Sequence, residues 1–199
     1  MNKENFSAAV IAGGKSRRFG RSKLFIQWQN EWLIQRALKL AASIADDHMV
    51  VSGESGLSSL INAPVHADLF SNSGPLGGIY TALKKAPCGH VVILPVDMPL
   101  INRELYQLIY RFYSFKHPVV AKSIKGLEPM VSIWPVESHK IIENMLQKGD
   151  LSIRHAFKVL SADVVYVPDE MDNYDDIIFE NVNTPYDLER LKQKLPGKA

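Results

Sequence analysis

The sequence predicts an α/β fold with a mostly parallel central sheet, and three observations carry that expectation. Short apolar runs without polar alternation, such as "SAAVIA" at 7–12 and "HVVILPV" at 90–96, read as strands covered on both faces. Segments with helical periodicity and capping residues lie between those runs. Strand and helix alternate along the chain, which implies βαβ units with right-handed crossovers.

The elements follow in order. The first strand, 7–12, stops at Gly13-Gly14. A helix over 31–45 places Leu33, Ala37, Leu40 and Ile44 on one stripe. "MVVS" at 49–52 is the next buried strand, and "LGGIYTALKKA" at 76–86 is a helix opened by glycines. After the strand at 90–96, Asn102 caps a helix over 102–115 that aligns Leu105, Leu108, Ile109 and Phe112. Strands are expected at 117–121, 129–134 and 163–167, the last stopped by Pro168. Helices are expected at 137–148, ended by Gly149, and at 151–160, capped by Ser152. The last helix, 184–195, has Thr184 at the cap and Pro185 at its first position. The acidic stretch 169–176 reads as a solvated loop before a short strand at "IIFEN".

Composition narrows the function classes. At 199 residues the chain suits one domain, 1–199, with a sizeable core. The net charge is only +2, so a broadly basic nucleic-acid surface is not expected. The lone Cys88 excludes an internal disulfide and a cysteine zinc site, and the six histidines show no metal-ligand spacing. No apolar run is long enough for a membrane span, and the N-terminus does not read as a signal peptide. A cytoplasmic enzyme or binding protein is the expectation.

Three loops that follow strands carry unusual chemistry, and in open α/β sheets ligands gather there. The first, "GGKSRRFGRSK" at 13–23, sets backbone N–H groups and five cations against an anion. It lacks the upstream glycine of a Walker A loop and is not a Gly-x-Gly-x-x-Gly fingerprint. Apart from Phe19 no aromatic interleaves the cations, which argues against RNA. In the second, Asp97 ends a buried strand before Met98-Pro99. A carboxylate at such a tip beside a phosphate loop suits Mg²⁺, although a turn-forming aspartate reads the same way. In the third, Asp68 precedes "SGPLGG", a turn into a helix N-terminus that receives anions well, or simply a glycine-rich helix start.

Together, "IAGGKSRRFGRSK", "SGPLGGI", "PVDMP" and "NVNTPYDLERL" resemble, in order, the motifs of the molybdenum cofactor guanylyltransferase family within the nucleotidyltransferase superfamily. The resemblance runs from about residue 7 to residue 195. It implies a single-domain Rossmann-like three-layer sandwich, GTP and molybdopterin as substrates, and Mg²⁺ as cofactor. GMP would pass from GTP to the molybdenum cofactor with release of pyrophosphate. By the same resemblance Ile11, Ala12, Gly13, Gly14, Lys23, Asp68, Gly77 and Asp97 bind the nucleotide, and Asp97 binds the metal. Arg18, Lys23 and Asp97 carry the chemistry; Asn181 and Asn183 face the pterin, and Arg154, in a segment that matches the family only loosely, is a candidate contact to the pterin phosphate or else a surface charge. Partners would be other cofactor-biosynthesis proteins and molybdoenzyme chaperones, with a monomer or weak oligomer and neither nucleic acid nor membrane. Phe19 replaces the usual Met, Ser22 stands where relatives have Asp, and Ser52 where they often have Asn. Two alternatives stay open: a sibling enzyme using another nucleotide or acceptor, such as a cytidylyltransferase for the same cofactor, and a non-catalytic nucleotide-binding protein.

Overall fold

The computed structural model describes residues 1–13 and 23–195. A sheet of seven strands forms its centre. They are β1 (Phe6–Ile11), β4 (Asp47–Val51), β5 (Val65–His66), β6 (His90–Pro95), β7 (Val119–Ser123), β8 (Gly126–Pro135) and β9 (Asp163–Tyr166), in the order β5-β4-β1-β6-β8-β7-β9. A small antiparallel hairpin, β2 (Gln27–Trp28) and β3 (Glu31–Trp32), stands apart from it. The helices are α1 (Leu33–Ile44), α2 (Gly74–Lys85), α3 (Arg103–Arg111), α4 (His139–Gln147), α5 (Ile153–Val159), α6 (Val167–Glu170) and α7 (Pro185–Lys194). This is the mixed α/β architecture the sequence predicts.

β1 shows why an unbroken apolar run makes a central strand. All six of its residues are buried. Ala8 and Val10 enter a core with Leu33, Ile34, Leu105 and Leu191, while Ala9 and Ile11 enter the opposite one with Leu76, Ile79 and Ile142. With apolar layers on both faces the strand keeps a single polar residue, the small and fully buried Ser7. Local signals set the helix boundaries. Asn102 accepts a hydrogen bond from Leu105 N–H, Ser152 from His155 N–H and Thr184 from Asp187 N–H. Gly149 takes the left-handed conformation after α4, φ 77°.

Four features depart from the expectation. β8 runs antiparallel to both neighbours, whereas β4, β1 and β6, like β7 and β9, pair parallel. Only two residues separate β7 from β8, and a connection that short forces a hairpin. The "IIFEN" segment is a 3-10 turn at Asp176–Phe179 rather than a strand, because the Asp175 carboxylate accepts the Ile177 N–H and bends the chain. The acidic stretch before it is not all solvated: α6 takes up its start, and Asp176 pairs with Lys125 at 3.0 Å. The helix expected from residue 31 starts at Leu33, because Gln29 and Asn30 adopt positive φ and fold 27–32 into the hairpin.

The chain leaves β1 toward β4 on one side and later returns to β6 on the other. The crevice between the carboxyl ends of β1 and β6 is therefore the switch point where α/β sheets bind ligands.

Candidate active site

The residues after β1 are held by the neighbouring strand. Ala12 N–H donates to Val51 O at 2.9 Å, and Ser52 Oγ donates back to Ala12 O at 3.3 Å. Ser52 is buried and its hydroxyl also accepts the Glu54 N–H, so it ties the β1 tip to the β4 tip. Ile11 and Ala12 are buried, and Gly13 emerges exposed at the crevice. Gly14 and Arg18, with Lys15, Arg17 and Arg21, lie outside the described residues.

Asp68 closes the floor. Its Oδ2 lies 3.9 Å from where a Cβ on Gly13 would stand, and its Oδ1 lies 3.7 Å from the corresponding position on Gly78. Oδ1 is buried and has no hydrogen-bond partner among the described residues. Burial raises the Asp68 pKa above its ordinary value, since desolvation disfavours the charged form. A half-buried carboxylate left short of donors is poised to receive a hydrogen-bond donor or a cation.

α2 must come very close for this to happen, and two residues, Gly78 of the glycine pair and the unforeseen Thr81, make it so. A Cβ on Gly78 would sit 2.9 Å from Ile11 Cγ2, so only glycine lets the helix rest against the β1 tip. Thr81, fully buried in α2, accepts the Leu69 N–H at 3.0 Å and donates to Gly77 O at 2.9 Å. Its hydroxyl fixes the backbone next to Asp68. The paired glycines were the only sequence signal; Gly77 itself lies against Ser73, where a Cβ would approach Ser73 Cβ to 2.6 Å.

On the other side of the crevice, Asp97 follows β6 and meets Lys23. Lys23 Nζ stands 2.6 Å from Asp97 Oδ2, with both side chains largely shielded at 13% and 18% exposure. Lys23 opens a 3-10 turn at Lys23–Phe25, and that turn is attached to α1 because Leu33 N–H donates to Ile26 O at 3.0 Å. Asp97 is also held through its backbone: its carbonyl accepts the Val182 N–H at 2.7 Å. Val182 is buried between Asn181 and Asn183, which are exposed, so this bond brings both asparagines to the Asp97 turn. Asn183 N–H and Asp187 Oδ2 close the start of α7 at 3.1 Å.

Arg154 is different. It is exposed on α5, whose buried side puts Phe157 in a stack on Trp134 with ring centroids 4.7 Å apart. No contact among the described residues joins it to the Asp97 turn. Trp28 and Trp134 are fully buried and serve packing. The described residues contain no group of three or more His, Cys, Asp or Glu side chains able to hold a metal by themselves.

The fold has counterparts among known proteins. The family model described as MobA-like NTP transferase domain matches residues 8–170. The chain belongs to that family. A probable molybdenum cofactor guanylyltransferase of Aquifex aeolicus is 34% identical over 182 residues, covering 92% of this chain and 88% of the relative. A molybdenum cofactor guanylyltransferase of Syntrophotalea carbinolica is 31% identical over 196 residues, covering 96% and 92%. The crystal structure of molybdopterin-guanine dinucleotide biosynthesis protein A from Archaeoglobus fulgidus superposes with a TM-score of 0.79 at 24% identity, covering 94% of this chain and 97% of that one; it supports the fold. As a member of the MobA-like family the protein is an enzyme, a nucleotidyltransferase. The family model ends before Val182, so the bond from Val182 to Asp97 is an observation of the structure itself.

Proposed function

We propose that the protein transfers GMP from GTP to the terminal phosphate of the molybdenum cofactor. An oxygen of the cofactor's phosphate bonds to the α-phosphorus of GTP, the bond from that phosphorus to the β-phosphate oxygen breaks, and pyrophosphate leaves. The observation that carries this reading is the shielded Lys23–Asp97 pair facing the β1 tip across the switch-point crevice. The names of the two curated relatives support the guanine and the cofactor.

The residues then divide the work. Backbone groups of Ile11, Ala12 and Gly13, with Gly14, lie along the nucleotide. Asp68 accepts a donor from it, and Gly77 belongs to the helix start beside it. Lys23 and Arg18 place positive charge on phosphate oxygens, where it counts most as the pyrophosphate departs. The attacking group is already an ionised phosphate oxygen, so no side chain has to remove a proton. Asn181 and Asn183 stand where an acceptor entering beside Asp97 would pass, and the exposed Arg154 guanidinium is assigned to the pterin phosphate.

Asp97 is the residue that would hold Mg²⁺. The donor set fits that ion: a carboxylate at a strand tip without a protein-only cage suits a cation that takes its other ligands from phosphate and water. When bound, the ion would neutralise charge on the phosphates of attacking and leaving groups. Nucleic acid and membrane have no part in this reading. Among the described residues no helix is long and apolar enough to cross a membrane. The acceptor would come from other cofactor-biosynthesis proteins and the product go to molybdoenzyme chaperones, with the enzyme acting in the cytoplasm as a monomer or weak oligomer.

The test is to incubate the protein with the molybdenum cofactor (molybdopterin carrying molybdenum), Mg²⁺ and either GTP, CTP or ATP, and to identify the dinucleotide by mass. Guanine dinucleotide formed at least about tenfold faster than the others is the expected result. A preference for CTP would instead identify a cytidylyltransferase, and GTP binding without transfer would identify a binding protein.

A further inference from the structure

The turn that carries Asp97 is pinned from two sides, and one of the pins is a residue of α1. Arg36 Nε donates a hydrogen bond to the carbonyl of Pro99, across 63 residues of sequence. Two residues earlier, the Asp97 carbonyl accepts the Val182 N–H at 2.7 Å. The Asp97 backbone is therefore clamped between Arg36 and Val182, with Met98 and Ile101 buried beneath it. Arg36 flanks the buried stripe of α1, next to Ala37, and is itself half-buried. Its aliphatic stem can run along that apolar surface while the guanidinium meets the turn.

The same helix also anchors the other member of the ion pair. The turn bearing Lys23 hangs on the first residue of α1 through the bond from Leu33 N–H to Ile26 O, 3.0 Å. α1 thus sets both ends of the Lys23–Asp97 contact, one through its first residue and one through Arg36. We infer that Arg36 is a positioning residue: by holding the Pro99 carbonyl it keeps the Asp97 carboxylate in register with Lys23 and with the Mg²⁺·nucleotide. This rests on the nucleotidyl-transfer reading of the site. A purely structural arginine would satisfy a turn carbonyl and lower stability when removed, without acting on Asp97 in particular.

Three measurements separate the two. In Arg36→Met, without nucleotide or metal, the Val182 amide should exchange with solvent about tenfold faster while β1 and β6 amides stay as in the wild type; unchanged Val182 protection would overturn the inference. In the transfer assay Arg36→Met should lower kcat about tenfold and raise the Mg²⁺ needed for half-maximal rate by a similar factor, as loss of a supporting partner does at metal sites, with KM for the acceptor unchanged. A wild-type Mg²⁺ dependence would overturn it. Finally, Asp97→Asn and the double variant Arg36→Met/Asp97→Asn should have equal rates within about twofold, because a residue acting through Asp97 adds nothing once Asp97 is lost; losses that multiply would mean an independent role. Arg36→Lys, which keeps a donor, should fold normally and recover most of the amide protection, and its failure to do so counts against the inference. If the wild type binds no nucleoside triphosphate, the reading of the site fails, while the exchange experiment still decides what Arg36 does to the turn.

Discussion

Asp68 and Glu180 are carboxylates served in opposite ways by the fold. Glu180 lies two residues before Val182 and takes Lys194 at 2.8 Å, Arg190 at 3.0 Å and Lys125 at 3.3 Å. The bond from Lys194 first, and then that from Lys125, hold its pKa below the ordinary value. Asp68 keeps a buried oxygen with no partner among the described residues, and burial pushes its pKa up. The first arrangement is complete within the protein and joins the β7–β8 turn to α7. The second is not closed by any of the described residues, and it lies at the crevice where Gly13 emerges. A carboxylate that the fold leaves under-served at a switch point marks a ligand site, whereas a satisfied ion network marks structure.

The sharpest way to break that comparison is at the pair across the crevice. Asp97→Asn should lower nucleotide transfer by about 10²–10³-fold, the scale of losing one group that stabilises charge in the transition state, with a melting temperature near that of the wild type. Retained turnover would mean that the Lys23–Asp97 pair is structural like Glu180. Next in size, Gly78→Ala drives a methyl group to 2.9 Å from Ile11 Cγ2 and should cost about 1–3 kcal/mol, whereas Gly89→Ala, with no atom within 4 Å, should be near neutral in the same thermal melts. The Gly78 variant should also bind GTP more weakly, because α2 can no longer rest against the β1 tip.

Glu180→Gln comes third. It should destabilise the protein by about 1 kcal/mol at neutral pH, since its three cationic partners are each roughly half-exposed. The sign against pH follows from its depressed pKa: the stabilisation is present above the unfolded value near 4.5 and is lost as pH falls through the lower folded value. Asp68→Asn is the smallest effect and has the opposite sign. A raised folded pKa means that the contribution of Asp68 is fully present below about 3.8 and is lost as pH rises through the higher folded value. The variant should therefore melt at or slightly above the wild-type temperature at neutral pH and converge with it in acid, yet bind GTP more weakly. A variant that melts lower at neutral pH would show that Asp68 has a partner the comparison denies it.

Much of the fold was legible in the sequence because its signals are local. The two-sided run at 7–12, the Asn102, Ser152 and Thr184 caps and the Gly149 stop each act within a few residues, and each appears in the structure where expected. β5, only Val65–His66, was too short to leave a pattern, and "IIFEN" has strand propensity that the Asp175 cap overrides. Of the site, the motifs pointed to Gly13, Lys23, Asp68 and Asp97, and the fold brings Lys23 to Asp97 and Asp68 to Gly13. Gly78 showed only as the second glycine of the pair in "SGPLGG", and Thr81 and Arg36 left no such trace, because each is chosen for what stands opposite it.

By itself, then, the sequence determined the class of fold, the order of the helices other than α6, the Asn102, Ser152 and Thr184 caps, and which loops carry charge, all from periodicities and caps that operate over one turn or one strand. The tertiary structure alone decided that β8 would run against its neighbours, that Lys23 would meet Asp97 across 74 residues, and that Arg36 would reach Pro99 across 63. Those pairings depend on the order in which strands enter the sheet and on how closely α1 and α2 can pack upon it. A contact between distant residues has no local period to announce it, and it becomes visible only once the core has set the distance.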